Sequence, residues 1–324
     1  MTNPLRIASG CGQRWVMAAH KRGLVLAAVT LMLFAASGQA QTRFTYSKGQ
    51  SVSPAFEGWW QNDDGTYALF FGYMNSNWEQ EFDVPVGPEN AIEPGGPDRG
   101  QPTHFYPRRN MFLFTVQVPA DFGGDQELVW TLTTNGRTER VYGSLRTDYL
   151  LDPQTIATEM GSNFGRVRDE WRTNEPPELS LGVDQTRIVR VGEPLTLVTY
   201  TRDDGIPSGE YEPPAVEPGK PHPAYRSVQQ IVPGNPPGLR FSWIVYRGDA
   251  SRVTFNPRQL KTWQDTRVYS YSSWSPPYIL PAVSTDGRWE ATATFDEPGT
   301  YVLRAMAGDG ALTTSENLTI TVSP

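Results

Sequence analysis

The amino-acid sequence predicts an all-β protein: two β-sandwich domains joined by a short helical bridge, behind a cleaved signal peptide. Three observations predict it. Apolar and aromatic residues, 38% and 12% of the 324-residue chain, gather in short runs and do not recur at helical spacing. Thirty glycines and 28 prolines punctuate those runs as turns. One stretch alone carries the punctuation of a helix.

The same composition excludes several classes of function. The apolar and aromatic content is too high for a disordered chain, and neither a collagen period nor a sustained heptad is present. Lys and Arg number 28 against 35 Asp and Glu, a net charge of -7. That balance, without basic runs, argues against nucleic acid as a partner.

Residues 1–40 are expected to be the signal peptide. Lys21 and Arg22 precede an apolar run from Leu24 to Ala36, and Gly38-Gln39-Ala40 supplies small residues before a cut at Gln41. The run falls short of the roughly 20 residues that a spanning helix needs. Translation from Met17 in place of Met1 would give a signal peptide of ordinary length. The one cysteine, Cys11, lies ahead of the apolar run, which speaks against lipidation. The mature chain then has no disulfide, thiol nucleophile or Cys-based metal site. Loss of Arg6, Arg14, Lys21 and Arg22 would leave it at -11. The protein is expected to be exported, periplasmic or extracellular, and not integral to the membrane after cleavage.

Residues 44–148 read as the first sandwich. Thr66 to Tyr73 is aromatic-rich and follows the turn sequence Asn62-Asp63-Asp64-Gly65. Met111 to Val118 reads as another strand. Residues 127–145 read as a hairpin about Asn135-Gly136, a dipeptide suited to a tight turn. The bridge, 149–177, holds the helix: Asp152 caps it, Pro153 fits its first position, and Gly161 ends it. Pro176-Pro177 closes the bridge.

Residues 178–324 read as the second sandwich. Strands are expected at Leu179 to Val183, Ile188 to Val191, Pro194 to Thr201, Leu239 to Tyr246, Trp289 to Phe295, Thr300 to Ala307 and Leu318 to Val322. Residues 203–238 are dense in Pro and Gly, roughly twice the length of an ordinary loop.

The run Phe295-Asp296-Glu297-Pro298-Gly299-Thr300-Tyr301-Val302-Leu303-Arg304-Ala305, followed by Ala307-Gly308-Asp309-Gly310, resembles the closing strands of bacterial immunoglobulin-like and PKD-like domains. The resemblance spans 178–324. It implies a tyrosine corner, with the Tyr301 hydroxyl turned back on the preceding corner, and a core position for Trp243. It implies a fold and no activity. The N-terminal half resembles uncharacterised exported bacterial proteins, which adds no activity.

The chemistry concentrates in residues 72–109. Their loop portion, 87–108, is stiffened by prolines and carries acids, a histidine and paired arginines. Asn75, Asn77, Trp78, His104, Arg108 and Arg109 are the candidate ligand-binding residues. Trp78 would stack, and the amides and guanidiniums would supply directional hydrogen bonds. The structural alternative has the asparagines shaping a turn, Trp78 capping the core, and the arginines pairing with Glu79, Glu81 or Asp83. A second candidate is the aromatic strip Trp263, Tyr269, Tyr271 and Trp274, with Tyr278 beyond it. Tyr269 and Tyr271 share one strand face.

No complete catalytic motif stands out. His104 and His222 show no zinc spacing, no Gly-x-Ser-x-Gly elbow is present, and the Asp-Gly clusters fit no calcium loop. No metal and no cofactor is expected. The expected role is that of an exported, non-catalytic binding or scaffold protein of the bacterial cell envelope, with an envelope protein or a polysaccharide as partner. The alternative is a carbohydrate-active protein, a sugar-binding module or a hydrolase with a site built on 72–109. A third reading makes 203–238 the docking element of an envelope complex.

Overall fold

Short apolar and aromatic runs between turns set the strands of the N-terminal half. The strands are β1 (Val52–Gln61), β2 (Tyr67–Asn75), β3 (Phe82–Asp83), β4 (Asn90–Glu93), β5 (His104–Phe105), β6 (Arg108–Val118), β7 (Leu128–Thr134) and β8 (Arg137–Gly143). The computed structural model describes residues 46, 48–77, 79–162, 167–209, 237–259 and 286–324. Sheet order is β1-β2-β6 and β4-β7-β8, with β3 and β5 forming a separate pair. Along β7, Leu128, Trp130 and Leu132 are buried while Val129 and Thr131 face outward. Trp130 reaches across to the other sheet, its ring centroid 5.1 Å from that of Phe114 and 6.2 Å from that of Phe71. The expected hairpin is present, and Asn135 and Gly136 both take the positive φ of its tight turn.

Strand β1 has no counterpart among the strands expected from the sequence. Pro54, Glu57 and Gly58 interrupt its alternation, and it carries a bulge between Phe56 and Gly58. Gly58 is required there: φ is +135°, and a Cβ would run into the Tyr149 carbonyl and the Leu151 side chain.

The bridge carries α1 (Pro153–Glu159). Its cap is as expected, with the Asp152 carboxylate accepting from the Thr155 amide at 2.6 Å. Ile156, Ala157 and Met160 turn inward to the N-terminal core.

The C-terminal half contains β9 (Glu178–Leu181), β10 (Thr186–Arg190), β11 (Leu195–Arg202), β12 (Arg240–Arg247), β13 (Val253–Asn256), β14 (Arg288–Phe295), β15 (Gly299–Gly308) and β16 (Thr313–Ser323). They form two sheets, β10-β16-β15-β12 and β13-β14-β11-β9. All ladders are antiparallel except β10–β16. Both expectations drawn from the resemblance are met. Trp243 is buried, and the Tyr301 hydroxyl donates to the Glu297 carbonyl at 3.1 Å. The described part of the chain is therefore mostly strand, an all-β fold with one short α-helix.

β12 is apolar on both faces for a reason. Phe241, Trp243 and Val245 enter the C-terminal core, while Ile244 and Tyr246 enter the N-terminal one. From β15, Arg304 donates to the Leu113 carbonyl at 2.5 Å and lies 3.4 Å over the Tyr246 ring. The sheet β10-β16-β15-β12 is thus a shared middle layer, and contacts gather Tyr46–Pro324 into one compact unit. Among the described residues, no helix is long and apolar enough to cross a membrane.

Candidate functional site

The segment singled out by the sequence folds into a buried polar knot. Asn75 and Asn77 are fully buried. Asn77 grips Gln50 as a backbone would, accepting from its amide and donating to its carbonyl, both at 2.8 Å. The Asn75 amide donates to the Gln80 carbonyl at 2.8 Å, and its oxygen accepts from Asn77. These amides shape a turn, and burial removes them from a ligand's reach. Trp78 lies outside the described residues.

His104 pairs with Asp83 in the β3–β5 ladder. Its Nδ1 lies 2.8 Å from Asp83 Oδ1 and its Nε2 lies 2.9 Å from Glu81 Oε2. An ionised carboxylate only accepts, so with both acids ionised the arrangement favours donation from both ring nitrogens, the imidazolium form. Burial works against that charge; the two carboxylates, Asp83 before Glu81, outweigh it and hold the imidazole above its ordinary range. With only 2% of its surface exposed and both nitrogens engaged, His104 is a clasp between two chain segments. Tyr106 packs edge-on against it, and the Tyr106 hydroxyl accepts from the Val245 amide of β12 at 2.9 Å.

The arginines also find partners other than those expected. Arg109 Nη2 donates to Glu57 Oε2 at 2.6 Å, and Arg108 Nη1 donates to the Ser76 carbonyl at 3.0 Å. Glu81 and Asp83 are taken up by His104. Glu57 is nearly enclosed, and burial pushes its carboxyl up against the pull of Arg109.

Open polar surface lies elsewhere in the same segment, along the Glu93-Pro94-Gly95-Gly96 turn. Bonds made by Asn90, Arg99 and Asp98 brace the segment that carries this turn, and of the three only Arg99 bonds the turn itself. Asn90 donates to the Val84 carbonyl at 2.9 Å and the Pro102 carbonyl at 2.8 Å, and accepts from Trp130 Nε1 at 3.0 Å. Arg99 donates to the Pro94 carbonyl at 2.6 Å. Asp98 receives both terminal nitrogens of Arg247, at 2.8 and 3.0 Å, and that pair holds its carboxyl below the usual range.

The turn walls a groove of about 680 Å³ on the outer face of β4-β7-β8. Register builds that face: Glu93, Val129 and Tyr142 form one row across the three strands, and Ala91, Thr131 and Arg140 the next. Tyr142 is 53% exposed. Among the described residues, the side chains of Glu93, Thr131, Arg140 and Tyr142 have no hydrogen-bond or ion-pair partner. A second groove, about 400 Å³, lies on the other flank of Pro94 and Gly95, between Arg99, Phe122 and Glu127. Both volumes suit small-molecule sites.

Thr131, Arg140 and Tyr142 are not among the residues expected from the sequence. The signal that places them is the hairpin itself, since its Asn135-Gly136 turn dictates which outward residues face each other. The aromatic strip Trp263, Tyr269, Tyr271 and Trp274, with Tyr278, lies outside the described residues, as do residues 210–236 of the Pro-rich excursion and the expected signal peptide. No group of His, Cys, Asp and Glu among the described residues is arranged to hold a metal ion.

No family model and no curated protein matches the sequence. Among solved structures, the chain is similar to a chimeric titin Z1Z2 fragment at 9% identity, over 85% of this chain and 99% of that one, with a TM-score of 0.22. It is similar to domains 4 and 5 of the S-layer protein SbsC at 10% identity, over 85% and 98%, with a TM-score of 0.21. It is similar to the D00-D0 domain of intimin at 11% identity, over 85% and 100%, with a TM-score of 0.24. At such scores these likenesses carry no argument, and function is argued from this chain's own residues.

Proposed function

We propose that the chain is an exported, non-catalytic binding protein of the bacterial cell envelope, built on immunoglobulin-like sandwich architecture, and that it meets its ligand on the outer face of β4-β7-β8. One observation carries this reading. Glu93, Thr131, Arg140 and Tyr142 converge, without partners among the described residues, on one groove walled by a turn that Arg99 anchors. A preformed groove lined by a few convergent polar groups is the usual form of a recognition site. His104 is bound to Glu81 and Asp83, Arg109 to Glu57 and Arg108 to a backbone carbonyl, an arrangement that suits holding the fold better than turnover. Export rests on the Lys21, Arg22, Leu24 to Ala36 and Gly38 to Ala40 pattern.

A pull-down from envelope and polysaccharide fractions tests the reading, with the native chain beside an Arg140→Gln/Tyr142→Ala variant of equal thermal stability. The native chain should capture a component that the variant loses. Equal capture by both, or turnover of the captured component by the native chain, would overturn it.

A further inference from the structure

We propose that the two grooves flanking Pro94 and Gly95 are adjoining subsites for one uncharged glycan chain. This rests on the binding reading above and names the ligand class for it.

The ligand must be read by side chains. The first groove lies on a sheet face, not at a sheet edge. β7 is the middle strand there, and its backbone groups are committed to β4 on one side and β8 on the other. An extended peptide that pairs as an added strand finds no free ladder on this face. What the face offers is one exposed aromatic ring and hydroxyl, carboxylate and guanidinium groups around it. Tyr142 presents a flat surface with an electron-rich face, suited to the C–H edge of a sugar ring. Arg140, Thr131 and Glu93 line the same groove and can bond the hydroxyls of a ring held there. Guanidinium and carboxylate forks both match a pair of vicinal hydroxyls.

Charge selects within the glycans. The first groove holds one cation and one anion, Arg140 and Glu93. The second holds one of each again, Arg99 and Glu127. Neither groove has a net charge to complement a uronate or an amino sugar, and the chain as a whole is acidic. An uncharged, hydroxyl-rich ligand brings no charge of its own to be buried without a counter-charge, and its hydroxyls can bond both the acid and the cation of each groove.

The shared wall makes the ligand a chain. Pro94 and Gly95 line both grooves, so a ligand filling one emerges at the ridge of the other. Phe122 gives the second groove its own aromatic wall. A single sugar fills one groove; an oligomer crosses the ridge and fills both.

Titration calorimetry of the full chain with neutral glucan oligomers, from the monosaccharide upward, tests this, with uronate and amino-sugar oligomers as further arms. Affinity for the neutral series should rise with length until both grooves are filled. Tyr142→Ala should weaken every length about tenfold. Glu127→Ala should weaken the longer oligomers more than it weakens the monosaccharide. Affinity independent of length would overturn the paired subsites. Binding confined to charged oligomers and lost in Tyr142→Ala would overturn the ligand class and leave the binding face standing. So would silence from every oligomer while the Arg140→Gln/Tyr142→Ala variant still loses envelope capture. Silence together with undiminished capture would remove both the glycan and the face.

Discussion

Thr131 and Arg140 stand directly opposite each other in the β7–β8 ladder, and neither side chain has a partner among the described residues. Two positions along, Thr133 and Thr138 also stand opposite each other, and their hydroxyls bond at 2.8 Å. One cross-strand pair is satisfied internally. The other faces the groove.

That contrast predicts a separation of binding from stability. Arg140→Gln and Tyr142→Ala remove no contact that holds the sheets together, so each should change stability by no more than about 0.5 kcal/mol. Both should lower capture of the ligand. Denaturant melts run beside the pull-down check the first half, and a loss of several kcal/mol would contradict it.

Asn90 ties Trp130 of the core to Val84 and Pro102, on either side of the turn. It bonds Trp130 Nε1 and two carbonyls while fully buried. Asn90→Ala leaves one indole donor and two acceptors without partners, a cost of about 3 kcal/mol or more. It also loosens the 84–102 segment, which carries the turn that walls the groove. Urea unfolding should show the loss, and binding in the still-folded fraction should weaken with it.

His104 makes stability depend on pH. Its folded pKa is raised above the ordinary value near 6.5. The imidazolium's contribution is therefore full below about pH 6.5 and is lost as pH rises through the folded pKa. The thermal midpoint should fall on that climb. His104→Asn should lower the midpoint and flatten the slope over the same range.

Asp309 adds a second dependence at lower pH. Burial pushes its carboxyl up to about 7, against bonds accepted from Ala311, Leu312 and Asn174 and with Asp203 nearby. A raised carboxyl favours the folded state fully below the unfolded value near 3.8, and that advantage is lost as pH rises through about 7. The protonated form also suits Asn174, whose Oδ1 is buried without a partner while its Nδ2 bonds Asp309. An amide flip would let that oxygen accept the new proton. Asp309→Asn should remove most of the stability change between pH 4 and 7, measured by calorimetry across that range.

Much of the strand pattern was legible because local signals and tertiary structure agree. The hairpin about Asn135-Gly136, the Asp152 cap and the strand opening at Tyr301 all stand where turn chemistry places them. β1 was hidden by Pro54 and Gly58, whose place depends on the distant Tyr149 and Leu151. The double-sided burial of β12 was not legible either, because a strand's sequence does not say how many cores it serves.

The site was half legible. The 87–108 loop was recognised, and both grooves share its Pro94-Gly95 turn. The residues expected to bind were the most polar ones, and several of them prove to be the most deeply satisfied. Asn75, Asn77 and His104 look like ligand contacts in sequence because burial of a polar side chain leaves no periodic trace. Tyr142 and Arg140 follow from hairpin register, but Glu93 joins them only through the long-range β4–β7 pairing.

The account's central claim is that the β4-β7-β8 face recognises the ligand while the His104 knot holds the fold. Tyr142→Ala and His104→Asn, compared for thermal midpoint and for capture per folded molecule, test it most directly. The account predicts an unchanged midpoint and lost capture for Tyr142→Ala, and a lowered midpoint with retained capture for His104→Asn. Lost capture in folded His104→Asn beside full capture in Tyr142→Ala would contradict it.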